Sequence, residues 1–213
     1  MNDTMNLLIG IAMGLNLIAL GSSRLPSVVR VMASQGVVLG LLPLVIERDF
    51  HWLVAVVGAI TIVVKGIVIP TLLLRAMRAA NIEREIEPVI GFVPSLLLGA
   101  VGTIAAVAVA HKLPLLPEHI DTLLVPGSLA SIFTGFILLV GRVKAISQVC
   151  GFLILENGIY LFGLLLLRST PLLVESGILL DVTVGVFVIG IIVDRIQRAF
   201  DSLDTRKLTV LRE

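Results

Sequence analysis

Residues 121–167 read DTLLVPGSLASIFTGFILLVGRVKAISQVCGFLILENGIYLFGLLLL. Two apolar runs, 121–141 and 146–167, are parted only by the basic residues Arg142 and Lys144. Each run has about the 20 residues that cross a ~30 Å hydrocarbon layer at about 1.5 Å per residue. Neither alternates with the period of two that marks a strand, and open sheet edges are not tolerated in lipid. The stretch therefore reads as two transmembrane helices joined by a tight basic turn. One carboxylate, Glu156, interrupts the second run.

Extended along the chain, the same reading gives seven spans: 5–22, 28–46, 52–75, 89–110, 121–141, 146–167 and 172–194. Glu47-Arg48-Asp49, the run from Arg75 to Pro88, and His111-Lys112-Leu113-Pro114 fall in loops. Of the 213 residues 57% are hydrophobic and 15% charged, where a soluble domain carries about a quarter charged residues. That deficit excludes a soluble enzyme, a nucleic-acid-binding domain and a disordered tail. The net charge of +1 gives no bulk attraction for nucleic acid. Cys150 is the single cysteine, so neither an internal disulfide nor a cysteine zinc cluster can form within the chain. The first run follows an acidic rather than a basic lead, Met1-Asn-Asp-Thr, and reads as a retained helix. The expected fold is an all-α, polytopic membrane helix bundle of about seven transmembrane helices.

Orientation follows from the basic residues. Arg24, Arg30, Arg75, Arg78, Arg84, Arg142, Lys144, Arg195, Arg198, Arg206, Lys207 and Arg212 fall on one side; Arg48, Lys112 and Arg168 fall on the other. The positive-inside rule then places the C-terminus in the cytoplasm and the N-terminus outside, in a multi-pass protein of the cell (inner) membrane. A faint parallel repeat accompanies this pattern. Ser22-Ser-Arg24 followed by two helices ending at Arg75-x-x-Arg78 mirrors Val140-Gly-Arg142 followed by two ending at Arg195-x-x-Arg198. Three units result: a three-helix unit over 1–88, a linking helix and outer loop over 89–120, and a second three-helix unit with a cytoplasmic tail over 121–213.

Three charges fall near the middle of the membrane. Glu156 stands 12 residues after Lys144 and 12 before Arg168; Asp181 and Lys65 lie at similar depths in their own spans. Each costs about 2.5–3.5 kcal/mol on insertion scales, so together they oppose insertion by about 8–10 kcal/mol. A mid-membrane carboxylate that meets Lys65 stays ionised, and one that loses it takes up a proton, which is the physical basis of a proton relay. Glu156, Asp181 and Lys65 are therefore the candidate proton-transfer residues, and the sequence leaves open which carboxylate Lys65 meets. Gly177, Asp181 and Gly185 form a small-residue stripe. Glu156, Tyr160 and Gly163 share one face, as do Gly58, Thr61 and Lys65. Asn157, Thr183 and Gln35 are supporting polar groups, and Asn16 with Gln35 reads as interhelical hydrogen bonding. A static ion pair that fixes helix register is the alternative use of the same charges. His111 and His119 read as solvated, and Cys150 as a small buried hydrophobe.

Walker, dinucleotide and HExxH motifs are absent from the sequence. Ser128 has no membrane histidine to activate it, and no glycine-framed aspartate pair suggests an intramembrane aspartyl protease. No clustering of His or Cys in the sequence suits haem or iron–sulfur ligation.

At Gly151-Phe-Leu-Ile-Leu-Glu156-Asn157-Gly158 and Gly177-Ile-Leu-Leu-Asp181-Val-Thr-Val-Gly185 the chain resembles component E of hydrogenase-4, a membrane subunit of group 4 [NiFe] hydrogenases and formate hydrogenlyase-type complexes. The resemblance extends to Lys65-Gly-Ile-Val-Ile-Pro70 and the terminal Leu203-Asp-Thr-Arg-Lys-Leu-Thr-Val-Leu. From about 121 onward the chain is also similar to the K-type subunit of respiratory complex I and the C subunit of Mrp antiporters. In the K-type subunit two membrane glutamates are tied to proton transfer. Asp181 matches the second, with Asp for Glu, whereas Leu153 takes the place of the first and Glu156 follows one helical turn later.

The resemblance implies an accessory subunit with no redox centre or other cofactor of its own, not itself catalytic, within an oxidoreductase complex. Its partners would be antiporter-like and other membrane-arm subunits and a cytoplasmic hydrogenase arm carrying the [NiFe] centre and iron–sulfur clusters. Hydrogen chemistry there would be coupled to proton, or sodium, translocation through Glu156, Asp181 and Lys65. The rival expectations are a purely structural membrane-arm subunit and an Mrp-type cation/proton antiporter subunit.

Overall fold

Connections of three residues leave consecutive helices no choice but to pack side by side and antiparallel. Helix α1 (Asn2–Gly21) turns through Ser22–Arg24 into α2 (Leu25–Ile46), and α6 (Leu124–Gly141) turns through Arg142–Lys144 into α7 (Ala145–Gly163). Between these pairs lie a long interrupted rod, α3 (Trp52–Val63) and α4 (Ile69–Ala79) joined by a π-helical turn at Val64–Val68, and then α5 (Phe92–Ala110). The computed structural model describes residues 2–46, 52–79, 84–85, 88–114, 121–166 and 190. The expected span over 172–194, with Asp181 and Thr183, and the basic tail lie outside the described residues, Gly190 apart.

Among the described residues all regular elements are helical, with one isolated bridge between Arg24 and Arg84. Six of the helical segments are long and apolar enough to cross a membrane: Asp3–Gly21, Leu25–Ile46, Val54–Arg78, Phe92–Ala110, Leu124–Gly141 and Ala145–Gly163. They correspond to the first six expected spans, with shifted ends. Helix α2 begins at Leu25 rather than 28 because Pro26 suits a first helical turn, where its missing N–H costs nothing. The third span continues past 75 because its last turns stay amphipathic, burying Leu73, Ala76 and Met77 while Arg75 and Arg78 are exposed.

The π-helical turn has a local cause. Pro70 cannot donate to the carbonyl of Gly66 four residues earlier, and its ring crowds that carbonyl. The Ile69 N–H bonds instead to the Val64 carbonyl, five residues back, and the Thr71 hydroxyl donates to the Ile67 carbonyl at 2.6 Å. Widening the turn also keeps one face inward. Thr61, Lys65, Ile69, Leu73 and Met77 are all buried, and steps of four overshoot a 3.6-residue turn by about 40° each. The wider turn absorbs that drift.

Glycines set the closest approaches. A Cβ on Gly135 would lie 2.5 Å from the Leu155 Cβ and 2.6 Å from the Gly151 carbonyl oxygen. One on Gly158 would lie 2.6 Å from the Ile132 nitrogen and 2.8 Å from the Ser128 carbonyl oxygen. Helices α6 and α7 therefore touch backbone to backbone, as small-residue seams allow in membranes. The α2–α3 crossing works the same way through Gly40 and Gly58.

The turns at the arginine-rich end are clasped together. The buried Glu85 carboxylate accepts the backbone N–H groups of Val143 and Lys144 at 3.2 Å and the Ser147 hydroxyl, satisfying the start of α7. Its own N–H donates to the Ser23 carbonyl. Arg142, 3% exposed, donates to the carbonyls of Leu20 at 2.7 Å and Ile90 at 2.8 Å and to the Ser95 hydroxyl. Its guanidinium carbon lies 4.6 Å from the Phe92 ring centroid. Burial pulls this guanidinium below its ordinary range, and the Glu85 charge opposes the shift. At the opposite end Asn6 ties α1 to α6 by donating to the Asp121 carbonyl and accepting from the Leu123 N–H.

The α6–α7 seam should be intolerant of a single methyl group. Gly135→Ala and Gly158→Ala are each expected to cost about 1–3 kcal/mol through overpacking. Gly10→Ala and Gly14→Ala, which have open space on α1, should be neutral or stabilise by up to about 1 kcal/mol. Unfolding of the four variants in detergent, followed by circular dichroism, checks the contrast.

Candidate functional site

Lys65 projects from the π-helical turn into the bundle, and Gly36 of α2 is what lets it in. A Cβ on Gly36 would sit 2.6 Å from the Lys65 Cβ and 2.9 Å from its carbonyl carbon. The Lys65 ammonium donates to Glu156 Oε1 at 2.8 Å, an ion pair whose side chains are 7% and 3% exposed. It donates also to Asn157 Oδ1 at 3.3 Å and lies 5.8 Å from the Tyr160 ring centroid, within cation–π range. Among the described residues Lys65 meets Glu156. Where Asp181 and Thr183 stand is outside the described residues.

The polar contacts continue across the bundle. Asn157 Nδ2 donates to Gln35 Oε1 at 3.4 Å. Gln35 Nε2 donates to Asn16 Oδ1 at 2.6 Å and to the Ala12 carbonyl at 3.1 Å. Asn16 Nδ2 then donates to the Ser131 hydroxyl at 2.9 Å. Glu156, Lys65, Asn157, Gln35, Asn16 and Ser131 form one buried row with groups from the Lys65 turn, α1, α2, α6 and α7. Sequence reasoning found Lys65, Glu156, Asn157, Gln35 and Asn16 but not Ser131 or the admitting Gly36. Gly36 and Gly40, four apart on α2, were the available signal; Ser131 carries none, because serines are common in membrane helices.

The row is enclosed above and below. One apolar cluster, which includes Leu20, Leu25, Val29, Leu73 and Ile146, fills the arginine-rich end. A second, of Met5, Ile9, Leu39, Leu42, Leu124, Leu161 and Leu164, fills the other. Beside Lys65 a small cavity lined by Met32, Lys65, Ile69, Leu153 and Asn157 has about the room that one water needs. Leu153 therefore lines the same cavity as Lys65, one turn of α7 before the Glu156 that Lys65 meets.

The two halves of the row differ chemically. Lys65 and Glu156 carry exchangeable charge, whereas the amides of Asn157, Gln35 and Asn16 have no titrating proton. The amide half can only orient and stabilise; the charged half alone has groups able to give or take a proton. Among the described residues no group of three His, Cys, Asp or Glu side chains could hold a metal ion. Cys150 is buried and outside the row.

Six apolar helices around a buried ion pair define a polytopic helical membrane protein with charge held in its core. Comparison with known proteins agrees. The chain is 36% identical over 191 residues to the uncharacterized protein Rv0085 of Mycobacterium tuberculosis, covering 89% of this chain and 87% of that protein, and it belongs to the same family. It is 29% identical over 159 residues to hydrogenase-4 component E of Escherichia coli and of Shigella flexneri, covering 73% of this chain and 72% of each relative. No protein-family model and no solved structure matches the chain.

Taking away one charge of the pair leaves the other buried. Lys65→Met or Glu156→Leu should each destabilise the bundle by about 3–5 kcal/mol, and the double variant Lys65→Met/Glu156→Leu should recover most of that loss. Thermal unfolding in lipid nanodiscs, arranged as a double-mutant cycle, measures the coupling.

Proposed function

We propose that this chain is an accessory membrane subunit of a complex-I-like, membrane-bound [NiFe] hydrogenase. In this reading it helps couple hydrogen redox chemistry to proton, or sodium, translocation. The carrying observation is the buried Lys65–Glu156 pair, because ionisable groups inside a membrane are costly and mark ion pathways. The similarity to hydrogenase-4 component E supports placing that pair in a hydrogenase-type membrane complex.

In this reading Glu156 is the carboxylate that takes up and releases a proton, and the Lys65 charge makes its protonation depend on the next charge in the arm. Asp181, which resembles the second K-type glutamate, continues the route, and Thr183 is a supporting polar group. The [NiFe] centre and iron–sulfur clusters belong to partner subunits of a cytoplasmic arm, and antiporter-like subunits flank the chain in the membrane. The basic count places the N-terminus outside and the C-terminal tail in the cytoplasm, facing that arm.

A structural reading is favoured by the amide half of the row, which braces α1, α2, α6 and α7 without a titrating proton. Glu156→Gln separates the two, since it keeps shape and hydrogen bonding but removes the titrating group. The tagged chain is expected to bring down a [NiFe] large subunit and antiporter-like subunits. In that complex Glu156→Gln should leave hydrogen turnover within about twofold and cut proton translocation on the order of tenfold. Unchanged translocation would favour the brace, and isolation with cation-antiporter subunits alone would overturn the hydrogenase assignment.

A further inference from the structure

We propose that Gln35 is a positioning residue, holding the Asn157 amide with its carbonyl oxygen turned to Lys65. The inference rests on the Lys65–Glu156 pair of the reading above and adds a residue that acts on it through another. An amide can face either way, so something must choose.

The choice is made from both ends of the row. Lys65 is a donor with no acceptor, so it requires the oxygen of Asn157, at 3.3 Å. That turns Asn157 Nδ2 toward Gln35, which must answer with an oxygen. Gln35 is independently committed to do so. Its Nε2 donates to the Ala12 main-chain carbonyl, which can only accept, and to Asn16 Oδ1. Both Nε2 hydrogens are thereby engaged on α1, and Oε1 is left for Asn157.

Asn16 repeats the sense by sending its own NH₂ group to Ser131. All three amides therefore present oxygen on the Lys65 side and nitrogen on the far side, and their dipoles add with the negative ends toward the ammonium. Because Gln35 is anchored on backbone, the orientation does not wait for Lys65 to impose it. The arrangement is pre-set to hold a positive charge in the middle of the bundle.

The test reads Lys65 directly in the resting full-length chain. The lysines are Lys65, Lys112, Lys144 and Lys207, so ¹⁵N-lysine labelling in lipid nanodiscs gives few side-chain signals. Loss in Lys65→Met assigns the one of interest. In Gln35→Met the Lys65 ammonium hydrogens should exchange with water about tenfold faster, the scale of one lost hydrogen bond to a charged group. The other lysines, and all lysines in the Ser34→Ala control on the same helix, should be unchanged. Gln35→Glu supplies a conservative rescue: neutral or ionised, its carboxyl presents an oxygen to Asn157 Nδ2 and keeps Lys65 exchange no faster than wild type.

Lys65 exchange in Gln35→Met equal to wild type overturns the proposal, as does equal acceleration by Ser34→Ala. If Gln35→Met does not fold, Gln35→Asn, one methylene shorter and unable to reach from Ala12 to Asn157, takes its place, and wild-type Lys65 exchange there overturns the proposal. No hydrogen turnover is needed. A Lys65 signal that follows Gln35, combined with Glu156→Gln that leaves translocation intact, sinks the coupling reading and keeps the positioning role.

Discussion

An ammonium buried among leucines and valines is tolerable only where counter-charge and hydrogen-bond acceptors surround it. Lys65 sets that demand, and much of the bundle answers it. Glu156 supplies the counter-charge, Asn157 an amide oxygen, and Tyr160 a ring face. Because Asn157 is held by Gln35, and Gln35 by α1, the charge makes the relative placement of several helices matter. A helix that slid by one turn would leave a buried polar group without its partner. In lipid, where apolar side chains have little reason to prefer each other over acyl chains, such contacts specify the packing.

Two backbone features make the site reachable. Gly36 brings the Lys65 turn against α2, and the π-helical turn before Pro70 keeps the inward face continuous although its buried residues are spaced by four. Neither feature touches a proton, yet without them the ammonium would start from a different face or a greater distance. The clasp of Glu85 and Arg142 does comparable work at the helix ends, joining the three turns of the arginine-rich face through main-chain acceptors and donors.

The geometry also shapes the functional reading. With apolar clusters at both ends, the polar row runs across the bundle rather than along the membrane normal. Its amides carry no titrating proton, so only the charged end, Lys65 and Glu156, has groups that could exchange one. Leu153 and Asn157 border one small cavity with Lys65, and Glu156, between them on α7, reaches the Lys65 ammonium.

Much of this was legible in the residues alone, because membrane insertion leaves few options. Apolar runs of sufficient length must be helices, since lipid offers no partner for a free backbone N–H or C=O. Charges at the centre of such runs, Lys65 and Glu156, stand out because each opposes insertion. Partner choice was not legible. That Lys65 meets Glu156, that Gln35 links Asn157 to Asn16, and that Ser131 ends the row depend on which helices become neighbours. Neighbours are decided by glycine seams and short turns acting over long sequence separations. Likewise Glu85 reads as one acid in a charged loop, and only the folded chain brings it to the start of α7. Hydropathy is a property of each segment and survives in the sequence. The pairing of polar groups is a property of several segments together, and tertiary structure decides it because every such bond needs two helices at one depth.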